Sequence, residues 1–325
     1  MNAAVRHVLG PGGLCAAAFP GYESRPGQLA MAERIAAAID GDERLLVEAG
    51  TGTGKTLAYL VPALLSGRKV VVSTGTKTLQ DQIATVDIPR LCAILDPLGV
   101  LARPLASSWA VMKGLQNYVC LRRLAERDRQ RTIHSVLPTP ELDRVLAWVN
   151  ETASGDRADL PDLPDDPAVW PDVQATPETR IGPRCTHFEK CFITLMRRRA
   201  ADAQLVIVNH HLYFADLALR SQWPEAQVLP PHEIVIFDEA HQIEDIATEF
   251  FGLHASTQRV FALSRDLGRA AELSAGRAQS ATGRLNGAAA PPTRSWSSST
   301  TTSTSPTSRC AASGPRRRCC RRTRW

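Results

Sequence analysis

Four short apolar runs, each closing on polar residues, set the frame of this chain. They are Leu45-Leu46-Val47 before Glu48 and a glycine-rich loop, Val70-Val71-Val72 before Ser73-Thr74, Leu205-Val206-Ile207-Val208 before Asn209-His210-His211, and Ile234-Val235-Ile236-Phe237 before Asp238-Glu239. Aliphatic and β-branched runs without alternation read as parallel strands buried on both faces. Helical spacing lies between them. The stretch around residues 22–28 opens a helix in which Ser24 is placed to cap, Pro26 suits the first turn, and Met31, Ile35, Ala38 and Ile39 form the apolar face. Leu57, Leu60, Val61, Leu64 and Leu65 form another, which Pro62 is expected to kink or shorten. Residues 1–23, rich in Gly, Ala and Pro, read as a loosely structured lead-in. The fold class is α/β, with ligands expected where the strands end.

Two of those strand ends carry specific chemistry. The first reads Ala49-Gly50-Thr51-Gly52-Thr53-Gly54-Lys55-Thr56 between a strand and a helix, a phosphate-binding loop with Ala49 in place of its usual first glycine. Glycines let backbone amides crowd around phosphate oxygens. Lys55 can reach the β- and γ-phosphates, Thr56 can hold Mg²⁺, and the helix N-terminus adds its dipole. The second carries Asp238 to a strand's C-terminal end, where it can reach that Mg²⁺, with Glu239 beside it to polarise a water. Gln28 suits an adenine edge, because an amide donates and accepts at once, and equally suits the first turn of a helix. The hydroxyls of Ser73-Thr74-Gly75-Thr76-Lys77-Thr78 fit sugar-phosphate oxygens, or form a plain strand-to-helix turn.

Residues 100–200 change character. Lys113-Gly114-Leu115-Gln116-Asn117-Tyr118-Val119-Cys120 precedes an arginine-rich helical stretch; a Pro/Asp-rich segment over 160–183 reads as exposed loop; Cys185-Thr186-His187-Phe188-Glu189-Lys190-Cys191 leads into a basic helix at Arg197-Arg198-Arg199. This reads as a domain inserted into the α/β core.

Charge needs division along the chain. The formal net charge of the 325 residues is +5, but beyond Glu272 there are ten arginines and no acid. Taking those ten from 38 Lys and Arg leaves 28 against 33 Asp and Glu, a balance of about −5 before the tail. The basic character is therefore no sign of a nucleic-acid surface on the folded part. Residues 276–325 lack Lys, Asp, Glu and Ile and show no usable periodicity, so disorder is expected. A basic arm is one reading, and a reading frame lost near residue 275 is another. With no signal-peptide pattern and no long apolar run, a cytoplasmic location and no membrane partner are expected. Cys15, Cys92, Cys120, Cys185 and Cys191 then suit metal binding better than disulfides.

Taken together, the Gly-Lys-Thr loop, Asp238-Glu239-Ala240-His241, Ser73 to Gln80, Lys113 to Cys120, Cys191-Phe192-Ile193-Thr194 and Val208 to Asp216 resemble the DinG/XPD-type iron–sulfur DNA helicases of superfamily 2, in their bacterial DinG-like branch. The resemblance runs from about residue 22 to 267. It implies a RecA-like motor domain in two parts, 1–105 and 201–245, an inserted iron–sulfur-type domain at 106–200, and the start of a helical arch at 246–275. It implies ATP-driven 5′→3′ translocation on single-stranded DNA. By that resemblance Gln28 reads adenine, Gly50 to Thr56 hold the phosphates, Thr56 and Asp238 bind Mg²⁺, Glu239 is the base, and His241 links hydrolysis to DNA.

Two departures stand out. The family's [4Fe–4S] cluster has four cysteines; Cys120, Cys185 and Cys191 match three, and Arg180 stands at the fourth place, where a cation cannot ligate iron. His187 completing the site, a zinc tetrahedron of Cys120, Cys185, His187 and Cys191, and no metal at all remain alternatives. Nothing after residue 270 resembles a second motor domain, whose arginine in such enzymes is worth roughly 10³–10⁵ in rate. The main expectation is an ATP-dependent DNA helicase ending before that domain. The alternative is an ATP- and single-stranded-DNA-binding module without unwinding activity; a simple P-loop kinase or transporter ATPase is disfavoured by Asp-Glu-Ala-His.

Overall fold

The computed structural model describes residues 1–19, 21–50, 52–134, 140–160, 168–252, 264–265, 267 and 321–324. The chain divides into two units, one of Met1–Phe251 with Cys320–Trp325 and one of Gly252–Cys319. Only four residues of the second are described, so most of the expected helical arch beyond Gly252 and most of the expected disordered tail lie outside the described residues.

In chain order the first unit contains α1 (Asn2–Leu9), α2 (Leu14–Ala18), α3 (Pro26–Asp40), β1 (Leu45–Glu48), α4 (Lys55–Leu65), β2 (Val70–Thr74) and α5 (Lys77–Gln82). A π-helical stretch, Ile83–Asp87, joins α5 to α6 (Ile88–Leu95). Then follow β3 (Trp109–Val111), α7 (Leu121–His134), α8 (Pro140–Trp148), α9 (Trp170–Val173), α10 (Phe192–Asp202), β4 (Leu205–Asn209), α11 (His210–Gln222), β5 (Ile234–Phe237), α12 (Ile243–Phe251) and β6 (Arg321–Arg324).

The centre is a parallel sheet in the order β3-β4-β2-β5. All five residues of β2 are buried, and the strand's period of two sends them to two cores. Val70 and Val72 join Leu205 and Ile207 against α1, α3, α4 and α6. Val71 joins Val206 and Val208 against the helices of residues 118–200 and against α11. Register sets Thr74 opposite Asn209 and Ser73 opposite Phe237, so the polar closings of three apolar runs fall on one rim. β3 belongs to this sheet although it lies just past the expected start of the insertion.

Several local readings are corrected. The lead-in is helical: Val5, Val8 and Leu9 recur at helical spacing and are buried, as is Cys15. Ser24 does not cap α3; Arg25 takes that place with no side-chain cap, and the Ser24 hydroxyl donates to the Leu9 carbonyl at 3.2 Å. α4 runs on through Pro62 to Leu65 inside a well-packed core, which offsets the lost backbone bond. The stretch read as exposed loop after residue 160 buries Val169, Trp170, Val173 and Ala175, with the Trp170 indole donating to the Gln116 carbonyl at 2.8 Å.

The phosphate-loop strand is the largest difference. β1 is not hydrogen-bonded into the four-stranded sheet; it pairs in parallel with β6, so the four described tail residues are in a strand rather than disordered. A strand edge left open is a template for another strand. Between β1 and β5 lies a cavity of about 740 Å³, and Leu46 and Val235 remain 47% and 36% exposed.

Candidate nucleotide site

The rim of the sheet, the loop after β1 and the N-terminus of α4 meet at one place. In the loop, Gly52 and Gly54 have φ of 75° and 78°, the left-handed region that favours glycine. A Cβ at Gly54 would also stand 2.2 Å from the Gln28 side-chain nitrogen. The Thr53 hydroxyl donates to the Gly50 carbonyl at 2.9 Å, and Arg25 donates to the Gly52 carbonyl. Thr51 lies outside the described residues. α4 then opens at Lys55 with its free amides turned to the loop, the arrangement that binds phosphate.

Across from the loop is the end of β5. Lys55 Nζ lies 3.7 Å from Glu239 Oε1. The Tyr59 hydroxyl donates to Asp238 Oδ2 at 3.1 Å and stands beside the Thr56 hydroxyl, so one phenol spans the two candidate magnesium ligands. Burial, followed by the charge of Asp238, raises the Tyr59 pKa well above its ordinary value, so it remains a donor. The Glu239 amide donates to Asp238 Oδ1 at 3.0 Å, and Glu239 itself takes φ 58°, ψ 42°, an uncommon state for a non-glycine residue. His241 Nδ1 approaches Glu239 Oε2 at 3.3 Å with its ring 70% exposed toward solvent. A hydroxyl and a carboxylate are hard oxygen ligands that suit Mg²⁺, and the flanking amides suit the triphosphate it would join.

Gln28 is buried, with its amide used at both ends: Oε1 accepts from the Tyr22 hydroxyl at 3.0 Å and Nε2 donates to the Gly54 carbonyl at 2.9 Å. It braces the phosphate loop here. Ala49 packs at the edge of the core.

Sequence reasoning missed three contributors. Tyr59 reads as one more apolar position of α4, although it lies four residues after Lys55 and three after Thr56, on their helical face. His210 is fully buried with Nδ1 2.7 Å from the Ser73 hydroxyl, and the main chain of Asp238 and Glu239 lies beside it; burial lowers its pKa, opposed by that main chain. No periodicity flags it. Gln242 packs on Gly75, where a Cβ would meet its amide at 2.7 Å, joining the loop after β2 to the loop after β5.

The cysteine region assembles differently. Cys120, Cys185 and Cys191 are half-buried free thiols. Among the described residues no three His, Cys, Asp or Glu side chains come together to hold a metal ion, so the zinc set with His187 is not formed. A [4Fe–4S] cluster does not fit the donors either: only three of the four cysteines are present, and Arg180, at the fourth place, lines a cavity with Arg197.

Known proteins match this sequence. The DEAD/DEAH box helicase family matches residues 25–141 and the DEAD_2 family residues 179–260. The chain is 38% identical over 247 residues to the ATP-dependent DNA helicase YoaA of Haemophilus influenzae, covering 76% of this chain and 37% of that protein. It is 36% identical over 252 residues to the ATP-dependent helicase DinG of Mycobacterium tuberculosis, covering 72% and 36%. It is 33% identical over 245 residues to the 3′-5′ exonuclease DinG of Bacillus subtilis, covering 73% and 24%. The chain thus spans little more than a third of the length of the first two. With its phosphate loop and Asp-Glu-Ala-His facing one another on an α/β scaffold, this chain belongs to the DEAD/DEAH-box helicases of the DinG and YoaA kind, over their N-terminal part.

Proposed function

We propose that the chain is the ATP-hydrolysing N-terminal part of an ATP-dependent DNA helicase acting in the cytoplasm, in which hydrolysis drives 5′→3′ movement on single-stranded DNA. The observation that carries the reading is the Tyr59 hydroxyl lying against both Thr56 and Asp238 while Lys55 reaches toward Glu239. Lys55 and the loop amides bind the phosphates, with Gln28 bracing the loop and reading the adenine edge only by exchanging its bond to Tyr22 or to the Gly54 carbonyl. Mg²⁺, held by Thr56 and Asp238, would neutralise charge developing on the phosphates. Glu239 orients water and takes its proton. His241 and Gln242 carry the state of the site to the loop after β2, whose hydroxyls meet the DNA backbone.

In this reading residues 1–105 and 201–245 form the motor, residues 106–200 an insertion, and 246–275 the start of an arch. The cluster is no part of the proposal. A DNA-stimulated ATPase assay on the full chain tests it: stimulation by single-stranded DNA that Lys55→Ala abolishes is expected, and wild-type hydrolysis indifferent to DNA would remove the motor reading.

A second reading, an ATP- and single-stranded-DNA-binding module without unwinding, is favoured by the open cleft between β1 and β5, with Leu46 and Val235 in solvent. Weak or no strand separation on a forked duplex is expected of this chain alone, and robust separation would reject the module.

A further inference from the structure

We propose that Arg180 and Arg197 form a phosphate site in the cysteine region, occupied by one phosphodiester of single-stranded nucleic acid. Both guanidiniums line a cavity of about 510 Å³ with Leu115, Gly182 and Phe188. Neither side chain has a hydrogen bond or ion pair with any described residue, and Arg197 Nε is buried with no partner among them. Burial lowers the Arg197 pKa, and the like charge of Arg180 adds to it; Asp216 and Cys191 oppose them without an ion pair to Arg197. Asp216 is committed elsewhere, to Arg220 at 2.8 Å and to the amides of Val228 and Leu229. Glu189 is committed to Arg198 at 2.8 Å.

Two half-buried cations on one cavity, neither ion-paired among the described residues, are costly unless an anion joins them. Guanidinium forks match phosphate oxygens in a plane, and they do so whichever base is attached. Arg198 stands over the half-exposed Phe188 ring at 5.9 Å, so a base would take the ring's other face, which favours a single strand over a free anion. The same pair of cations is what disqualifies the position as a cluster site. The inference rests on the nucleic-acid reading of the protein, but it stands apart from the ATP crevice.

The test uses the full chain, a fluorescent oligothymidylate and a salt titration. Arg180→Gln and Arg197→Gln should each weaken binding about three- to tenfold and lower the salt slope by about 0.7 for each phosphate no longer neutralised, with Arg197→Lys restoring most of the slope. ATP binding and circular dichroism should be unchanged, and Arg180→Gln, on a loop outside the helices, reads the site even where Arg197→Gln fails to fold. Wild-type affinity and slope in both Gln variants would overturn the proposal. Thermal protection by orthophosphate that the variants lose, with oligonucleotide binding unaltered, would overturn the assignment to a strand and leave free phosphate. Four irons per chain in anaerobically purified wild type would overturn the site altogether. Loss of DNA binding in the variants of a chain that hydrolyses no ATP would uphold this site while rejecting the motor.

Discussion

In the crevice at the strand ends, each charged group meets a counterpart from a different element: Lys55 faces Glu239, and Tyr59 faces Asp238. In the cysteine region, Arg180 and Arg197 line one cavity, and among the described residues neither has an ion pair with an acid. Both regions match family patterns, yet only the first has every charged and hydroxyl-bearing member of its set, Ala49 replacing no more than a glycine. A site with all its partners assembles as the motif implies. A site missing one, and given a cation instead, acquires a different electrostatic sign and a different ligand class.

The largest expected effect separates the two regions directly. Lys55→Ala should lower DNA-stimulated kcat by about 10²–10³-fold, the cost of removing one preorganised cation from the transferring phosphoryl group. Cys185→Ser should leave kcat within about twofold. Steady-state hydrolysis at saturating DNA compares them, and a collapse in both variants would show that the cysteine region serves the chemistry after all.

Next in size is the joint between the regions. Lys113 is 5% exposed and its Nζ bridges Asp81 of α5 at 2.7 Å and Asp156 at 2.6 Å. Burial alone would lower its pKa, but the hydrogen bonds and charges of Asp156 and Asp81 outweigh it and raise it. Lys113→Ala leaves Asp156 buried without its cation. About 2–3 kcal/mol of destabilisation is expected in urea unfolding, below the fully buried value because Asp81 is 43% exposed. Unchanged stability would mean that the two regions are joined by apolar packing alone.

Tyr59→Phe sharpens the crevice side. The ring stays in the core and only the donor to Asp238 is lost. The Mg²⁺ concentration for half-maximal hydrolysis should rise about tenfold, the usual cost of removing a ligand's supporting bond. A magnesium titration of ATPase activity checks it, and an unmoved midpoint would make Tyr59 a packing residue only.

Much of this was legible beforehand, for reasons that can be named. The positions of β1, β2, β4 and β5 followed from apolar and β-branched runs, though β3 did not, and the crevice followed from polar groups at their ends, because a buried parallel sheet leaves only its rim for ligands. Gly54 and Lys55 announced themselves by a backbone demand and a charge. The helices before residue 20 were hidden because Ala and Gly dominate the composition, although Val5, Val8 and Leu9 already carried the period. Trp170 was hidden among prolines and aspartates. The pairing of β1 with β6 was not readable, since neither strand's sequence names its partner. His210 and Arg197 act through neighbours distant in sequence, and no local pattern contains those neighbours.

The smallest effect asks whether a buried, unpartnered polar atom is a site wherever it occurs. Asp87 Oδ2 is buried without a partner among the described residues, as Arg197 Nε is. Here the nearby charge is Arg90, of opposite sign, rather than a second group of the same sign. Burial raises the Asp87 pKa above 3.8, with Arg90 opposing. Above the folded-state pKa the carboxylate is charged in both states, and the fold bears its desolvation. As pH falls through that raised value the folded chain takes the proton first, so this residue's penalty shrinks, and it is gone below about 3.8. Asp87→Asn should therefore stabilise the chain by about 1 kcal/mol at pH 7, with the gain vanishing toward pH 4. Urea unfolding at both pH values measures it. A gain that persists at pH 4 would trace it to packing, and a loss at pH 7 would mean that the Asp87 carboxylate has a ligand of its own, erasing its contrast with Arg197.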